Sequence, residues 1–270
     1  MKRALSVRVE GLGVWATGLP DWTACRGWLR GEADPDPEAP ARPRPARLSA
    51  GERRRASLHV LAAIEVADQA VRMSGRDAAT LPCVFTSAHG DAGIMDYMCA
   101  ILADTPQHLS PTRFHNSVHN AAVGYWTIAT GCQAPSNAVA AMDASFGAGL
   151  LEAATQACVE NVPVLLVAHD APGSGPLGTL LGTREVFACA LVLSPAPRRD
   201  DTPGLDIAIA GDETPGDAPA LPAGWPAGNP TARGLTLLRA LAGERPATLA
   251  VPASDGTVLD VQVDPTRRSG

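Results

Sequence analysis

Residues 133–157 read QAPSNAVAAMDASFGAGLLEAATQA, and this stretch constrains the fold more than any other. Ala134, Pro135 and Ser136 form a turn signal, 137–142 is a short run of small and apolar residues, and 144–159 has the composition of a helix. Asp143 stands at the mouth of that helix. A strand, a tight turn and a helix N-terminus make a place for chemistry, because the helix end presents unpaired N–H groups and a partial positive charge. Ala144, Ser145, Gly147, Ala148 and Gly149 carry little or no side chain, so another backbone or a substrate can come close. The pattern is that of a reactive site, yet the focal side chain, Asp143, does not suit nucleophilic chemistry.

The remainder of the chain alternates strand and helix patterns, which predicts a layered α/β domain. Residues 5–14 alternate as a strand that should end at Gly11 and Gly13, and Asp21 is placed to cap a helix over 21–29. Residues 31–47, rich in Pro, Asp, Glu and Arg, read as a surface loop. Ser49 with Glu52 three residues on is a capping box, opening a helix expected to run to Met73 and stop at Ser74 and Gly75. Strands are expected at 81–86, 162–169 and 187–193, and helices at 94–103 and within 114–130. Residues 170–182 read as a loop; Gly173, Ser174, Gly175 and Gly178 lack the lysine and spacing of a phosphate-binding loop.

The last third changes character. Residues 195–229 are dense in Pro, Gly, Ala and Asp, with one strand candidate at 205–210. A helix at 231–242 and a hairpin of 248–251 with 257–263 around Asp255 and Gly256 follow. The expected organisation is a body at 1–195 and an extension at 196–270 packed on the same domain.

Net charge −6 argues against a nucleic-acid surface. The longest apolar runs, such as 162–168, are too short to span a membrane, and Lys2-Arg3 precedes no apolar leader, so a cytoplasmic protein is expected. The six cysteines are scattered with no CxxC pair, which points to reduced thiols and to no metal or cofactor. His115 and His119, four apart, would share a helix face, but Asn116 and Asn120 favour a hydrogen-bonded turn. Ser145 is a weak nucleophile candidate with His89, His115 or His169 as base, for it sits in no GxSxG elbow. Asp143 reads as a general base, a helix cap or an inert replacement. Arg53, Arg54 and Arg55 read as a solvated face, or as a contact for an acidic carrier protein.

Four segments, in order, resemble the N-terminal half of β-ketoacyl synthases, of the thiolase superfamily. They are VEGLGVWATGLPDWTACRGWLRGE (9–32), LSPTRFHNSVHNAAVGYW (109–126), APSNAVAAMDASFGAGLLEA (134–153) and TREVFACALVLS (183–194). The second is the most specific, being similar to a segment of the small synthase-like proteins of aryl polyene pathways. The resemblance covers about 4–195 and implies a thiolase-like half: layered α/β/α with a mixed central sheet, followed by a C-terminal extension.

Counted from Pro135 and Ser136, the family's nucleophilic cysteine falls on Asp143, and no HGTGT, GHxxGAAG or NSFGFGG equivalent occurs after residue 195. An aspartate cannot carry an acyl chain as a thioester. The resemblance therefore implies no catalytic residue. It points instead to a silent, chain-length-factor-like subunit that pairs with a full-length ketosynthase and meets acyl carrier protein indirectly. It further implies that Phe114, His115, Asn116, Val118, His119, Asn120 and Tyr125, with Asn137, Val139 and Met142, form the interface and acyl tunnel. The helix at 92–103 would help limit the chain. The alternatives are a divergent acyl-transfer or decarboxylating enzyme using Asp143 or Ser145, and a homodimeric acyl-binding protein.

Overall fold

The computed structural model describes residues 4–195, 202–210 and 228–265. Most of the Pro- and Gly-rich stretch expected over 195–229 lies outside the described residues. In chain order the elements are β1 (Leu5–Ala16), α1 (Trp22–Leu29), α2 (Ala50–Arg55), α3 (Leu58–Ser74), β2 (Cys83–Thr86), α4 (Ala92–Asp104), α5 (Pro111–His115) and α6 (Ala121–Thr130). They continue with β3 (Ser136–Val139), α7 (Ser145–Glu160), β4 (Val164–Asp170), α8 (Gly175–Leu181), β5 (Phe187–Ser194), β6 (Gly204–Ile209), α9 (Leu235–Ala242), β7 (Ala247–Ser254) and β8 (Thr257–Asp264).

The strands form one mixed sheet in the order β3-β2-β4-β5-β1-β6-β8-β7. β2 runs parallel to β3 and β4, and every other pairing is antiparallel. Successive strand residues face opposite sides. Val164, Leu166 and Ala168 of β4 therefore join a core with α1, α7 and α9, while Leu165 and Val167 join a second core with α3 and α6. Both faces of β4 and β5 are covered, which is why their sequences are continuously apolar rather than alternating.

The fold has the expected layered α/β/α class, with several local differences. β1 does not end at Gly11 and Gly13 but runs through them to Ala16, with a bulge between Val9 and Gly11. The reason is the helix above. A Cβ on Gly11 would lie 2.0 Å from the Ala70 carbonyl oxygen, and one on Gly13 would lie 2.1 Å from that of Val66. These glycines let α3 lie against the strand.

The single helix expected from Ser49 to Met73 is two. Ser49 and Glu52 form the capping box of α2, Ala56 turns extended, and the Ser57 hydroxyl accepts from the Val60 N–H to start α3. The loop expected over 170–182 contains α8, ended by Gly182 at φ 72. Residues 231–242 begin as a 3-10 turn, Pro230–Gly234, before α9. The hairpin around Asp255 and Gly256 forms as expected, and β8 pairs with β6, continuing the sheet beyond β1.

A buried carboxylate ties this C-terminal part to the centre. Asp170, 3% exposed, accepts from the Ser87 hydroxyl (2.7 Å), the Ala88 N–H (3.0 Å) and the Thr231 hydroxyl (2.7 Å). The Asn229 amide donates to the carbonyls of Asp170 and Glu185. A carboxylate holding three donors in a dry interior fixes the 3-10 turn against the end of β4.

Candidate functional site

The site is built where β3 hands the chain to α7. β3 pairs only with β2 among the described residues, so it is an edge, and Ser136, Asn137 and Ala138 are exposed. The strand expected to reach Met142 stops at Val139. Met142 adopts a left-handed backbone, φ 49, and Met142–Ala144 make a 3-10 turn. A non-glycine residue there stores on the order of 1 kcal/mol of strain, which surrounding contacts must hold. Ser145 supplies them: its hydroxyl accepts from the Ala141 N–H (2.9 Å) and donates to the Met142 carbonyl (2.6 Å).

That use defines Ser145. It is fully buried, and its hydroxyl is committed to the turn. None of His89, His115 and His169 is hydrogen-bonded to it. His169 extends the Leu165 and Val167 side of β4, against α3, whereas Ser145 heads α7 on the other face. Asp143 is not a cap either, since Ala144 takes the cap position of α7 and no side chain caps that helix. Instead the Asp143 carboxylate pairs with Arg233 at 3.0 Å, the two side chains being 70% and 49% exposed. A cavity of about 480 Å³ adjoins the pair, lined also by Asn229, Pro230, Thr236 and Pro252.

Arg233 is the residue that sequence reasoning missed. It rides on the 3-10 turn anchored by Thr231 and Asn229, and Gly234 of that turn seats the Phe146 ring. A Cβ on Gly234 would lie 2.6 Å from that ring, so the contact requires glycine. No local signal marks Arg233, because its partner is 90 residues away.

The 109–126 segment makes a second feature. α5 ends at His115 and α6 begins after Asn120, so His115 and His119 do not share a helix face. His119 Nε2 instead lies 3.1 Å from the Ser87 carbonyl oxygen, and among the described residues no group of three His, Cys, Asp or Glu side chains could hold a metal. His115, Asn116, Val118, Asn120 and Tyr125 line one cavity of about 560 Å³, together with Gly124 and Ile128. Phe114 and Val118 are more than half exposed, and Ile128, which the sequence did not single out, is 76% exposed. α6 packs beside β3, so this face adjoins the edge strand. There Asn137 bonds Glu152 of α7 at 3.0 Å, Val139 packs on the core and Met142 is exposed. Of the three arginines, Arg53 is bound to the Pro45 and Leu48 carbonyls and is structural; Arg54 and Arg55 are exposed.

His59 of α3 and His169 of β4 are buried with ring centroids 4.2 Å apart. Burial, more than any neighbour, pushes both imidazoles below their ordinary value, so the pair is neutral. All six cysteines are free, and burial pushes the Cys25 and Cys83 thiols up to about 12. None stands at the head of α7.

The fold and the strained strand-to-helix turn define a thiolase-like α/β protein. Residues 26–222 match the β-ketoacyl synthase N-terminal domain, and the chain belongs to that family. No curated protein matches it. Among solved structures, a chain of the ketosynthase ApeO in complex with its chain length factor ApeC, from Xenorhabdus doucetiae, superposes with a TM-score of 0.71 at 22% identity; 96% of this chain and 99% of that one are covered. A chain of the ishigamide ketosynthase/chain length factor gives 0.64 at 13% identity with the same coverages. A β-ketoacyl synthase from Burkholderia phymatum gives 0.53 at 14% identity, over 72% of this chain and 59% of that one. At these identities the likeness is one of fold. Among the described residues no helix is long and apolar enough to cross a membrane.

Proposed function

We propose that this chain is a chain length factor: a ketosynthase-like subunit without condensing activity that pairs with a full-length ketosynthase and shapes its acyl tunnel. The observation that carries the reading is Asp143. It sits in the strained turn that leads into α7, where a synthase needs a thiolate, and its carboxylate is ion-paired to Arg233. A carboxylate there cannot form the thioester that condensation passes through.

The surface supports a partner. An open parallel edge at β3 beside exposed Phe114, Val118, Ile128 and Met142 is the kind of surface that proteins cover. On this reading Asn137, Val139 and Met142 lie at the interface. Phe114, His115, Asn116, Val118, His119, Asn120 and Tyr125 sit at or near the wall of the tunnel, with the 560 Å³ cavity as part of it. Carrier protein docks on the synthase and meets this chain indirectly. Residues 1–195 are the synthase-like unit, and the extension adds strands to its sheet. The 109–126 segment supports aryl polyene or similar polyene biosynthesis, in the cytoplasm.

Co-expression with a ketosynthase encoded beside it tests the reading. The two should co-elute on size exclusion, and omitting this chain should change product length. Separate elution, together with normal product from the synthase alone, would sink it.

A further inference from the structure

Residues 105–120 carry Phe114 and Val118 of the proposed interface, yet the segment is weakly held. Within it only Asn116 is buried, and neither the 3-10 turn Pro106–His108 nor α5 buries a side chain. Its hydrogen bonds to the body, among the described residues, run from the Ser110 N–H to the Tyr97 hydroxyl (3.2 Å) and between His119 Nε2 and the Ser87 carbonyl oxygen (3.1 Å). Arg113 adds a stack on the Tyr97 ring at 4.0 Å. A segment that buries so little opens locally at lower cost than the sheet beneath it unfolds.

Its buried anchor meets a cluster of titratable groups that the reading above does not use. Asn116 packs into the same wall as His59 of α3 and Asp91 at the head of α4. The His59 ring lies 4.2 Å from the His169 ring of β4, centroid to centroid, and the Phe85 ring meets His169 edge-on at 5.9 Å. His59 Nδ1, His169 Nδ1, Asp91 Oδ2 and Asn116 Oδ1 are buried without a hydrogen-bond partner. The charged and titratable groups facing the rings come from every side. They are His119 from the turn before α6, Asp91 from α4 and Asp170 from β4, with Arg55 and Arg113 on the wall that His59 shares. Burial keeps both rings neutral, but Asp91 and Asp170 favour the charged form of His59, so His59 takes a proton before His169 does. An imidazolium in a dry wall is costly unless water reaches it. Water enters most cheaply where the wall is weakly held, at Asn116 and His119.

We propose that His59, stacked on His169, is a proton-sensitive latch for the 105–120 segment. A proton taken up at His59 frees Asn116 and His119, and the segment swings open while the sheet stays folded. A complex made through Phe114 and Val118 then dissociates faster in acid. That last consequence rests on the partner reading; the latch itself is a property of this chain.

The experiment is native-state hydrogen exchange of the full chain, read by mass spectrometry from pH 7.5 to 5.5 and corrected for the intrinsic exchange rate. Protection over 105–120 should fall about tenfold, because a ring that charges only in the open form gains that factor on crossing its ordinary value of about 6.5. The fall should be insensitive to low urea, since local opening exposes little surface. His59→Asn, or His59→Gln as a second neutral replacement, should make the protection independent of pH. Protection in the unaltered chain that does not change with pH overturns the proposal. So does a fall that both neutral replacements leave intact, and so does one that steepens with urea, because the whole chain is then unfolding. In the complex with the ketosynthase encoded beside this chain, the dissociation rate should rise about tenfold over the same range. A constant rate while the segment opens leaves the latch standing and removes 105–120 from the interface.

Discussion

Asp143 Oδ2 lies 3.0 Å from Arg233 Nη2, joining the head of α7 to a turn 90 residues later in the chain. On the proposed reading, the pair closes over the position where a condensing enzyme would present its nucleophile. Both side chains are well exposed, so water screens the attraction and the pair contributes no more than about 1 kcal/mol.

Asp143→Ala should therefore leave the melting temperature within a few degrees and leave product formation by the reconstituted pair unchanged. The measurement is product yield and length beside a thermal melt. Loss of product with intact folding and assembly would favour an acid–base role for Asp143 and defeat the silent reading.

Ile128 is 76% exposed on α6, beside the cavity and the β3 edge. Ile128→Asp removes little buried area from the isolated chain, so its stability should change by less than about 0.5 kcal/mol. In a packed interface the same change buries an unpaired charge, and the complex should weaken at least tenfold by analytical ultracentrifugation. An unaltered complex would move the interface off α6.

Two helical glycines should respond oppositely. A Cβ on Gly147 of α7 would lie 2.0 Å from the Pro252 carbonyl oxygen of β7, so Gly147→Ala should force the layers apart and cost about 1–3 kcal/mol or more. Nothing lies within 4 Å of a Cβ on Gly124 of α6, so Gly124→Ala should stabilise the isolated chain by about 0.5–1 kcal/mol. Because Gly124 lines the 560 Å³ cavity, the same methyl should impair assembly or shorten product. Urea denaturation reads the first effects, and equal shifts in both variants would contradict the packing described.

The buried rings of His59 and His169 predict a pH response. Burial lowers both, with Asp91 and Asp170 only partly opposing it at His59, so the folded chain resists protonation that the unfolded chain accepts. Stability is full above the unfolded imidazole value, about 6.5, and falls as pH drops below it, by up to about 1.4 kcal/mol per pH unit for each ring. Urea midpoints between about pH 7.5 and 5.5 should fall accordingly, and His169→Asn should flatten the dependence. A midpoint independent of pH over that range would show that the rings titrate freely.

Much of this was legible in the chain. Asp21 and Ser49 cap the helices they announce, Gly75 ends α3 in a left-handed turn, and Asp255-Gly256 turns the last hairpin, because capping and turn chemistry act over three or four residues. The misreadings share a cause. Gly11 and Gly13 look like a strand end but exist for the backbone of α3 pressing on β1. Ser57 breaks one apolar periodicity into two helices, and α8 forms in what composition marks as loop.

The sequence alone determined the layered α/β class, the strand-turn-helix at 133–157 and the aspartate at its focus, since periodicity, turn residues and identity at one position are local facts. Only the tertiary structure decided what those residues face. Packing aligned Ser145 with its own turn rather than a histidine, set Asp143 against Arg233, left β3 and Ile128 uncovered, and brought the first turns of α3 and α4 to one cavity. Those relationships join residues far apart in the chain, and burial and charge have meaning only once the layers have closed.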